Sequence, residues 1–405
     1  MLTESEPHYR QPLLKTPFHD RALVLSQNDS FIPWSGYTTV DVFTTVEQEY
    51  FAVRNATSLY DLTPMVKYRI AGVEAARYLN RLMTRDMARL KPGRVAYTVW
   101  CNDNGHLIDD GTVFCLSSTE YRLCTGERQL DWLLASAVGF EVEIEEVTKE
   151  IAALSVQGPT SCAVLRAFGL DGVERLKPFE SGHFTAPFAL LLEAPLMVSR
   201  TGFTGDLGYE LWMRPSDAER VWDGLMEVGR GRLIRPIGSR ALNMARIEAG
   251  FLLPNVDFVS CEHTLRVGTD RSPFELGLGW LVDFKKGHFT GRRALVEEQR
   301  RGPLRQLVGL DIEGNKPAHS ALLYSDRTGQ RQVGSVTSAT WSPTTKRNIA
   351  LAMMDAPYLK PGTTVWAEIY LNRELVWERR MARAQIVGRP FFAPERRRAT
   401  PPADY

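Results

Sequence analysis

A chain of 405 residues with 44% apolar and 24% charged residues has material for two or three folded domains and the composition of a globular protein, not a disordered one. Its formal net charge of +1 offers no global field for nucleic acid or an acidic membrane surface, so partners have to be sought at local sites. The 5 cysteines, Cys101, Cys115, Cys124, Cys162 and Cys261, lack C-x-x-C spacing and are odd in number, which points away from a disulfide framework or a zinc site and toward a reducing cytoplasm.

At the N-terminus, Met1 to His8 has neither the basic nor the apolar region of a signal peptide, and no apolar run approaches the roughly 18 residues of a membrane span. The expectation is a cytoplasmic protein without membrane, nucleic-acid or metal partners. The first helix is predicted over Val46–Asn55, with Tyr50, Phe51 and Val53 as its apolar side, and an alternating strand over 66–70 follows Asp61-Leu-Thr-Pro64. Residues 72–82 place Val73, Ala76, Leu79 and Leu82 at helical spacing. Segments 94–101 and 107–115 read as a hairpin joined by the turn-forming residues 102–106. Its second strand carries Asp109 and Asp110, which must point to opposite faces. Either one of them faces a site, where desolvation raises its pKa, or both are solvated carboxylates near a turn.

A helix over 129–137, a strand over 141–145, a buried strand over 152–156 and a helix over 161–168 lead to the most specific stretch, Ser199-Arg-Thr-Gly-Phe-Thr-Gly-Asp-Leu-Gly-Tyr-Glu-Leu211. Gly202, Gly205 and Gly208 suggest a tight turn or the close approach of a ligand, and a strand, not a helix, follows, which argues against a dinucleotide loop. Glu210, between Tyr209 and Leu211, is either a ligand acceptor or an exposed strand residue. Ser216 to Glu219 forms a capping-box pattern for a helix with Val221, Trp222, Leu225 and Val228 on its apolar side. The next helix, 240–249, carries Arg246 and Glu248, charges expected to be solvated or paired with each other, and stops at Gly250. After a short helix over 292–300, strands over 306–311, 334–338 and 364–370 suggest a C-terminal barrel or sandwich, followed from Pro390 by a basic tail.

Taken in order, Lys15-Thr-Pro-Phe18, Gly93-Arg-Val-Ala-Tyr97, Gly105-His-Leu-Ile-Asp-Asp110, Val156-Gln-Gly-Pro159, Ser199 to Gly205, Arg246-Ile-Glu-Ala-Gly250, Phe289 to Leu295 and Thr337 to Pro343 resemble the glycine-cleavage T-protein family of tetrahydrofolate-dependent enzymes. That family also contains dimethylsulfoniopropionate demethylase and folate-dependent aromatic O-demethylases. The resemblance implies an α+β fold of three domains in a cloverleaf around a central folate channel. The first domain would comprise 1–60 and 149–250, the second 61–148 and 251–293, and a β-barrel domain 294–390, with 391–405 as the tail. By the same resemblance Asp110 is the catalytic carboxylate, Glu210 the anchor of the pterin, and Tyr97 a channel-lining residue, while Phe203 stands where many relatives have tyrosine. The family's arginine position falls on Leu242, and Arg240, two residues earlier, is the candidate to replace it if the local helix is shifted.

Several positions depart from the T-protein pattern: Asp61-Leu-Thr-Pro64, Gly238 to Asn243, Cys124-Thr-Gly-Glu127 and the long stretch Val259 to Arg271. They lie at motifs for folate and its donor. The resemblance therefore implies a tetrahydrofolate-dependent demethylase that takes methyl from a small O-, S- or N-methylated substrate. Its alternatives are an aminomethyltransferase with a lipoyl carrier protein as partner, and a folate-binding regulatory protein without turnover.

Overall fold

The computed structural model describes residues 12–185, 194–266 and 268–401; the signal-peptide reading of Met1 to His8, and Val267 within the Val259 to Arg271 stretch, lie outside them. The chain begins with β1 (Leu14–Lys15), α1 (His19–Leu25), β2 (Ser30–Trp34) and β3 (Tyr37–Val42), and the three strands form a small sheet in the order β1-β3-β2. Next comes α2 (Val46–Asn55), capped by Thr45, whose hydroxyl accepts from the Gln48 N–H at 3.4 Å. Tyr50 and Val53 are fully buried as its spacing predicts, but Phe51 is 45% exposed because it falls on the opposite flank. The strand β4 (Ser58–Asp61) follows.

A five-stranded antiparallel sheet is built from β5 (Val66–Ala71), α3 (Ala75–Leu82), β6 (Val95–Cys101), β7 (Leu107–Cys115), β8 (Glu120–Thr125), α4 (Leu130–Ser136) and β9 (Glu143–Glu146), in the order β6-β7-β8-β5-β9. The predicted hairpin is β6 and β7, and Gly105 in its turn takes φ +76°, a conformation glycine adopts without steric cost. Alternate residues Tyr68, Ile70, Val113 and Leu123 point outward and pack on Tyr78, Leu79 and Leu82 of α3. Val73 lies before that helix and is 74% exposed, so it does not join the apolar face.

The chain then adds β10 (Ala152–Gln157), α5 (Ser161–Ala167), β11 (Ser181–Phe184), β12 (Leu196–Ser199), β13 (Gly208–Met213), α6 (Ala218–Gly229), β14 (Arg235–Pro236) and α7 (Ser239–Glu248). A six-stranded sheet runs β11-β12-β13-β10-β4-β14. Leu154, Val156, Tyr209 and Leu211 face Val164, Leu165, Val221, Trp222 and Leu225 of the helices. Helix α6 begins at Ala218 with Asp217 in the cap position, one residue beyond the Ser216 that the capping-box pattern marks, because Pro215–Asp217 first make a 3-10 turn. The other faces of the two sheets pack on each other through Val95, Phe114, Cys124, Ala153, Met197 and Trp212, with Phe114 and Trp212 edge to face at 5.1 Å.

After α8 (Arg292–Arg301), β15 (Arg305–Ile312), β16 (Leu322–Tyr324), β17 (Gln332–Ser342), β18 (Arg347–Asp355), β19 (Thr364–Arg373) and β20 (Val376–Val387) close a barrel, which decides between barrel and sandwich. Its interior includes Ala339, Ala350, Ala352, Ala367, Ala382 and Ala384; short side chains suit the narrow lumen of so few strands.

Helix α7 packs against α2, β3, β17 and β18, and its charges are neither solvated nor paired with each other. Glu248 accepts from Arg54 Nη2 at 2.7 Å, Tyr50 at 2.5 Å and Ser342 at 2.5 Å. Arg246 pairs with Asp257 and donates to Ser338 at 2.7 Å. The basic C-terminal segment is tied down: the Phe391 and Phe392 N–H groups donate to the Glu248 carbonyl at 2.9 and 3.0 Å, Arg396 binds Asp206 at 2.6 Å, and Arg200 donates to the Ala399 carbonyl at 2.5 Å. Removing one member of such a buried pair strands the other. Glu248→Ala is therefore expected to destabilise the protein by about 3–5 kcal/mol, read from the denaturation midpoint, and a loss below about 1 kcal/mol would show that the network does not hold the units together.

Candidate active site

On β7 the outward residue Val113 belongs to the core beneath α3, whereas Phe114 belongs to the core between the sheets. Strand alternation then places Asp110, Thr112 and Phe114 on the inner face and Asp109 on the outer one. Asp109 is buried; it accepts the Asp110 N–H at 2.8 Å and the Gln129 side-chain amide at 3.2 Å. Burial pushes its carboxyl well above the ordinary range. Asp110 is half-buried and accepts a 2.6 Å bond from the Tyr97 hydroxyl, so two residues singled out separately in the sequence form one unit. Burial pushes Asp110 up to about 6, against the opposing pull of that hydroxyl. The Tyr97 phenol is itself raised by burial and by Asp110, and its ring lies 6.3 Å from Trp280, which is 67% exposed.

Glu210 comes from the facing sheet. Its neighbours Tyr209 and Leu211 are buried beneath the helices, so Glu210 and Trp212 point to the inter-sheet side. The Thr201 hydroxyl donates to Glu210 Oε2, Ser199 Oγ lies 2.6 Å from Thr201 Oγ1, and Trp212 Nε1 donates to Ser199 Oγ at 3.1 Å. Burial pushes Glu210 up to about 7.

Of the two uses read for the glycines of this loop, a tight turn or the close approach of a ligand, Gly205 serves the turn, and Gly202 and Gly208 make room for a side chain of the protein itself. A Cβ on Gly202 or on Gly208 would come within 2.1 Å of Gln157 Oε1, and one on Gly205, at φ +73°, within 2.4 Å of the Ala249 Cβ. The space is filled by the protein's own Gln157, whose amide donates to the Thr201 and Tyr209 carbonyls at 3.1 Å each and accepts from Thr204 at 2.9 Å. Gln157 was visible in the sequence only as part of Val156-Gln-Gly-Pro159.

Two other inner-face residues, Lys67 and Thr112, escaped the sequence reading as candidates. Lys67, Cys124, Thr112 and Tyr97 form one row across β5, β8, β7 and β6. Lys67 is fully buried, donates to the Thr63 and Met65 carbonyls at 2.7 and 2.8 Å, and is pulled down to about 8 by burial. Its only sequence signal is a lysine at an inward strand position. Arg240 does not join this assembly: it extends to Asp41 at 2.7 Å with 65% of its side chain exposed. On the regular helix α7 it points about 200° away from Leu242, the position two residues later. Phe203 stacks on Phe251 with ring centres 5.6 Å apart. Cavities of about 600 and 420 Å³ lie elsewhere, beside α6 and beside the barrel, and neither is lined by Asp110 or Glu210. Among the described residues no cluster of His, Cys, Asp or Glu is arranged to hold a metal ion, and none of the helices is long and apolar enough to cross a membrane.

Comparison with known proteins matches residues 20–286 to the GCVT N-terminal domain and residues 305–392 to the glycine cleavage T-protein C-terminal barrel domain. A protein named aminomethyltransferase from Caldanaerobacter subterraneus subsp. tengcongensis is 32% identical over 94% of this chain and 96% of its own. Another of that name from Bacillus subtilis is 31% identical over 94% of this chain and 99% of its own. A protein named trimethylamine-oxide aldolase from Ruegeria pomeroyi is 35% identical over 87% of this chain but 44% of its own length. The crystal structure of the glycine cleavage system aminomethyltransferase T from Bartonella henselae has the same fold, with a TM-score of 0.81 over 94% of this chain and 98% of that one at 24% identity.

Glu210 makes a stability test possible without any ligand. Its carboxyl is raised from an ordinary 4.5 to about 7, so between those values the folded chain keeps a proton that the unfolded chain has lost. Stability must then fall as pH rises through this window and level off above it. Glu210→Gln keeps an acceptor for Thr201 and removes the charge. The variant is expected to exceed the parent protein in stability by up to about 3 kcal/mol at pH 8, with the gain vanishing below about pH 4.5, as read from denaturation midpoints across pH.

Proposed function

The chain belongs to the glycine-cleavage T-protein family, and on that basis we propose that it is a tetrahydrofolate-dependent one-carbon transferase, moving methyl from a small O-, S- or N-methylated donor to tetrahydrofolate. The observation that carries the proposal is the pair of raised carboxylates, Asp110 with Tyr97 and Glu210 with Thr201, on the facing sides of two packed sheets.

The donor set fits a pterin. Glu210 receives the Thr201 hydroxyl at Oε2, is also hydrogen-bonded by Ser199, and among the described residues has no ion-pair partner, so of a carboxylate's roughly four acceptor sites enough remain for two parallel N–H bonds from a guanidine-like edge. When bound, tetrahydrofolate supplies the nucleophilic nitrogen that takes the one-carbon unit. Asp110 receives the proton released as that bond forms. Tyr97 orients the carboxyl through Oδ2, and a carboxyl raised to about 6 is matched to neutral pH. Holding nitrogen and donor in line removes much of the entropic cost of their meeting. A sulfonium or quaternary ammonium donor departs neutral and needs no acid, whereas an aryl ether departs as phenolate and gains from a hydroxyl donor such as Tyr97.

Aminomethyl transfer is the second reading, favoured by the relatives of that name that match along nearly their whole length, and it calls for a lipoyl carrier protein as partner. The name of one relative, trimethylamine-oxide aldolase, is the reason for including an N-methylated amine among the donors to be tested. The test is incubation with tetrahydrofolate and an aryl methyl ether, a sulfonium, an N-methylated amine or an aminomethylated carrier, following methyl-tetrahydrofolate and ammonia. Methyl-tetrahydrofolate from one donor class is expected; ammonia from the carrier alone selects the second reading; folate binding without any product refutes turnover with these donors. Asp110→Asn is expected to lower turnover by about 10²–10⁴ with folate affinity largely kept, and Glu210→Ala to remove binding.

A further inference from the structure

Ser199, Thr201 and Trp212 have so far figured only as neighbours of Glu210. They are almost wholly buried, at 0%, 9% and 2% exposure, so water does not compete for their bonds. We propose that Trp212, Ser199 and Thr201 form a one-way hydrogen-bond relay that fixes Glu210 as an acceptor, so that the site selects a ligand edge carrying two adjacent N–H donors over one of the same shape carrying a carbonyl.

The direction follows from chemistry. An indole N–H can only donate, so Ser199 Oγ accepts from Trp212 at 3.1 Å and has its own proton left to give. Thr201 spends its proton on Glu210 Oε2, so in the 2.6 Å contact between the hydroxyls it accepts, and the Ser199 proton, with Thr201 Oγ1 and the Glu210 carboxylate as its acceptors, points toward Glu210 by either route. Each hydroxyl then donates once toward Glu210. The reverse order would require the indole nitrogen to accept, which it does not do. The backbone secures the arrangement, because Ser199 is paired with Glu210, and Met197 with Trp212, across the β12–β13 ladder.

A donor therefore reaches Oε2 whatever the ligand. The relay is also what supports the ionised form. Cys124 on the facing β8 is the titratable group opposite Glu210, with Lys67 and Arg122 beside it, and none of these makes an ion pair with Glu210 among the described residues. Asp206, in the loop before β13, is already engaged by Arg54 and Arg396.

The inference rests on the folate reading but is tested partly without it. Tetrahydrofolate binding is measured between pH 6 and 9, and Glu210 is titrated in the ligand-free protein through ¹³C-carboxyl-labelled glutamate. Thr201→Val keeps the shape and deletes the last donor. It is expected to weaken binding about tenfold at pH 7.5 and to move the midpoints of both profiles up by about one pH unit, with Thr201→Ser restoring both. Trp212→Phe should act in the same direction to a smaller extent. An unchanged Glu210 titration in a folded Thr201→Val protein overturns the relay, whether or not folate binds. A shifted titration in a protein that binds no folate at any pH upholds the relay and overturns the folate reading.

Discussion

The structure depends on two opposite charges, Arg246 and Glu248, that one helix carries into the interior. Standing two residues apart they point in nearly opposite directions, Glu248 toward Arg54 and Tyr50 of α2, Arg246 toward Asp257 and the barrel residue Ser338. Apolar packing alone would let three units slide on one another. Directional bonds to buried charges allow a single arrangement, and it is this specificity, more than net stability, that such pairs supply.

The position of the candidate site follows from that junction. Ala249, immediately after α7, is the surface against which Gly205 rests, and the Arg54 that meets Glu248 also holds Asp206 and the Thr204 carbonyl. The loop carrying Thr201 thus lies between α7 and β13, and its hydroxyl reaches Glu210 from there. On the other side of the interior, the edge-to-face packing of Phe114 on Trp212 helps set how the strand of Asp110 faces the strand of Glu210. Among the described residues neither carboxylate pairs with a cation, and burial raises both.

Periodicity made much of this fold legible. The bounds of α2 and the β6–β7 hairpin were readable because each has strong alternation or helical spacing between clear turn signals. The choice between Asp109 and Asp110 was not, since alternation separates their faces without saying which face meets another sheet; it rests on the resemblance, and the core clusters show only which face each takes. Arg246 and Glu248 were read as surface charges because amphipathic reasoning assumes a solvated side, and α7 is enclosed by α2, β3, β17 and β18. Glycine spacing left a tight turn and a ligand side by side because Gln157, which fills the space, lies far away in sequence, where no short-range pattern reaches. The segment after Pro390 has no periodicity and reads as a tail, yet it is fastened through backbone carbonyls and a single ion pair.

That fastening bears on how the protein is made. Synthesis is vectorial, and Asp206 emerges from the ribosome 190 residues before the Arg396 that completes its charge pairing. Until then the junction around Arg54 and Glu248 lacks one guanidinium and the two N–H groups of Phe391 and Phe392. The sheets and the barrel, whose strands pair mostly within themselves, can form as they emerge, but the clasp that locks them closes only after the barrel has been translated.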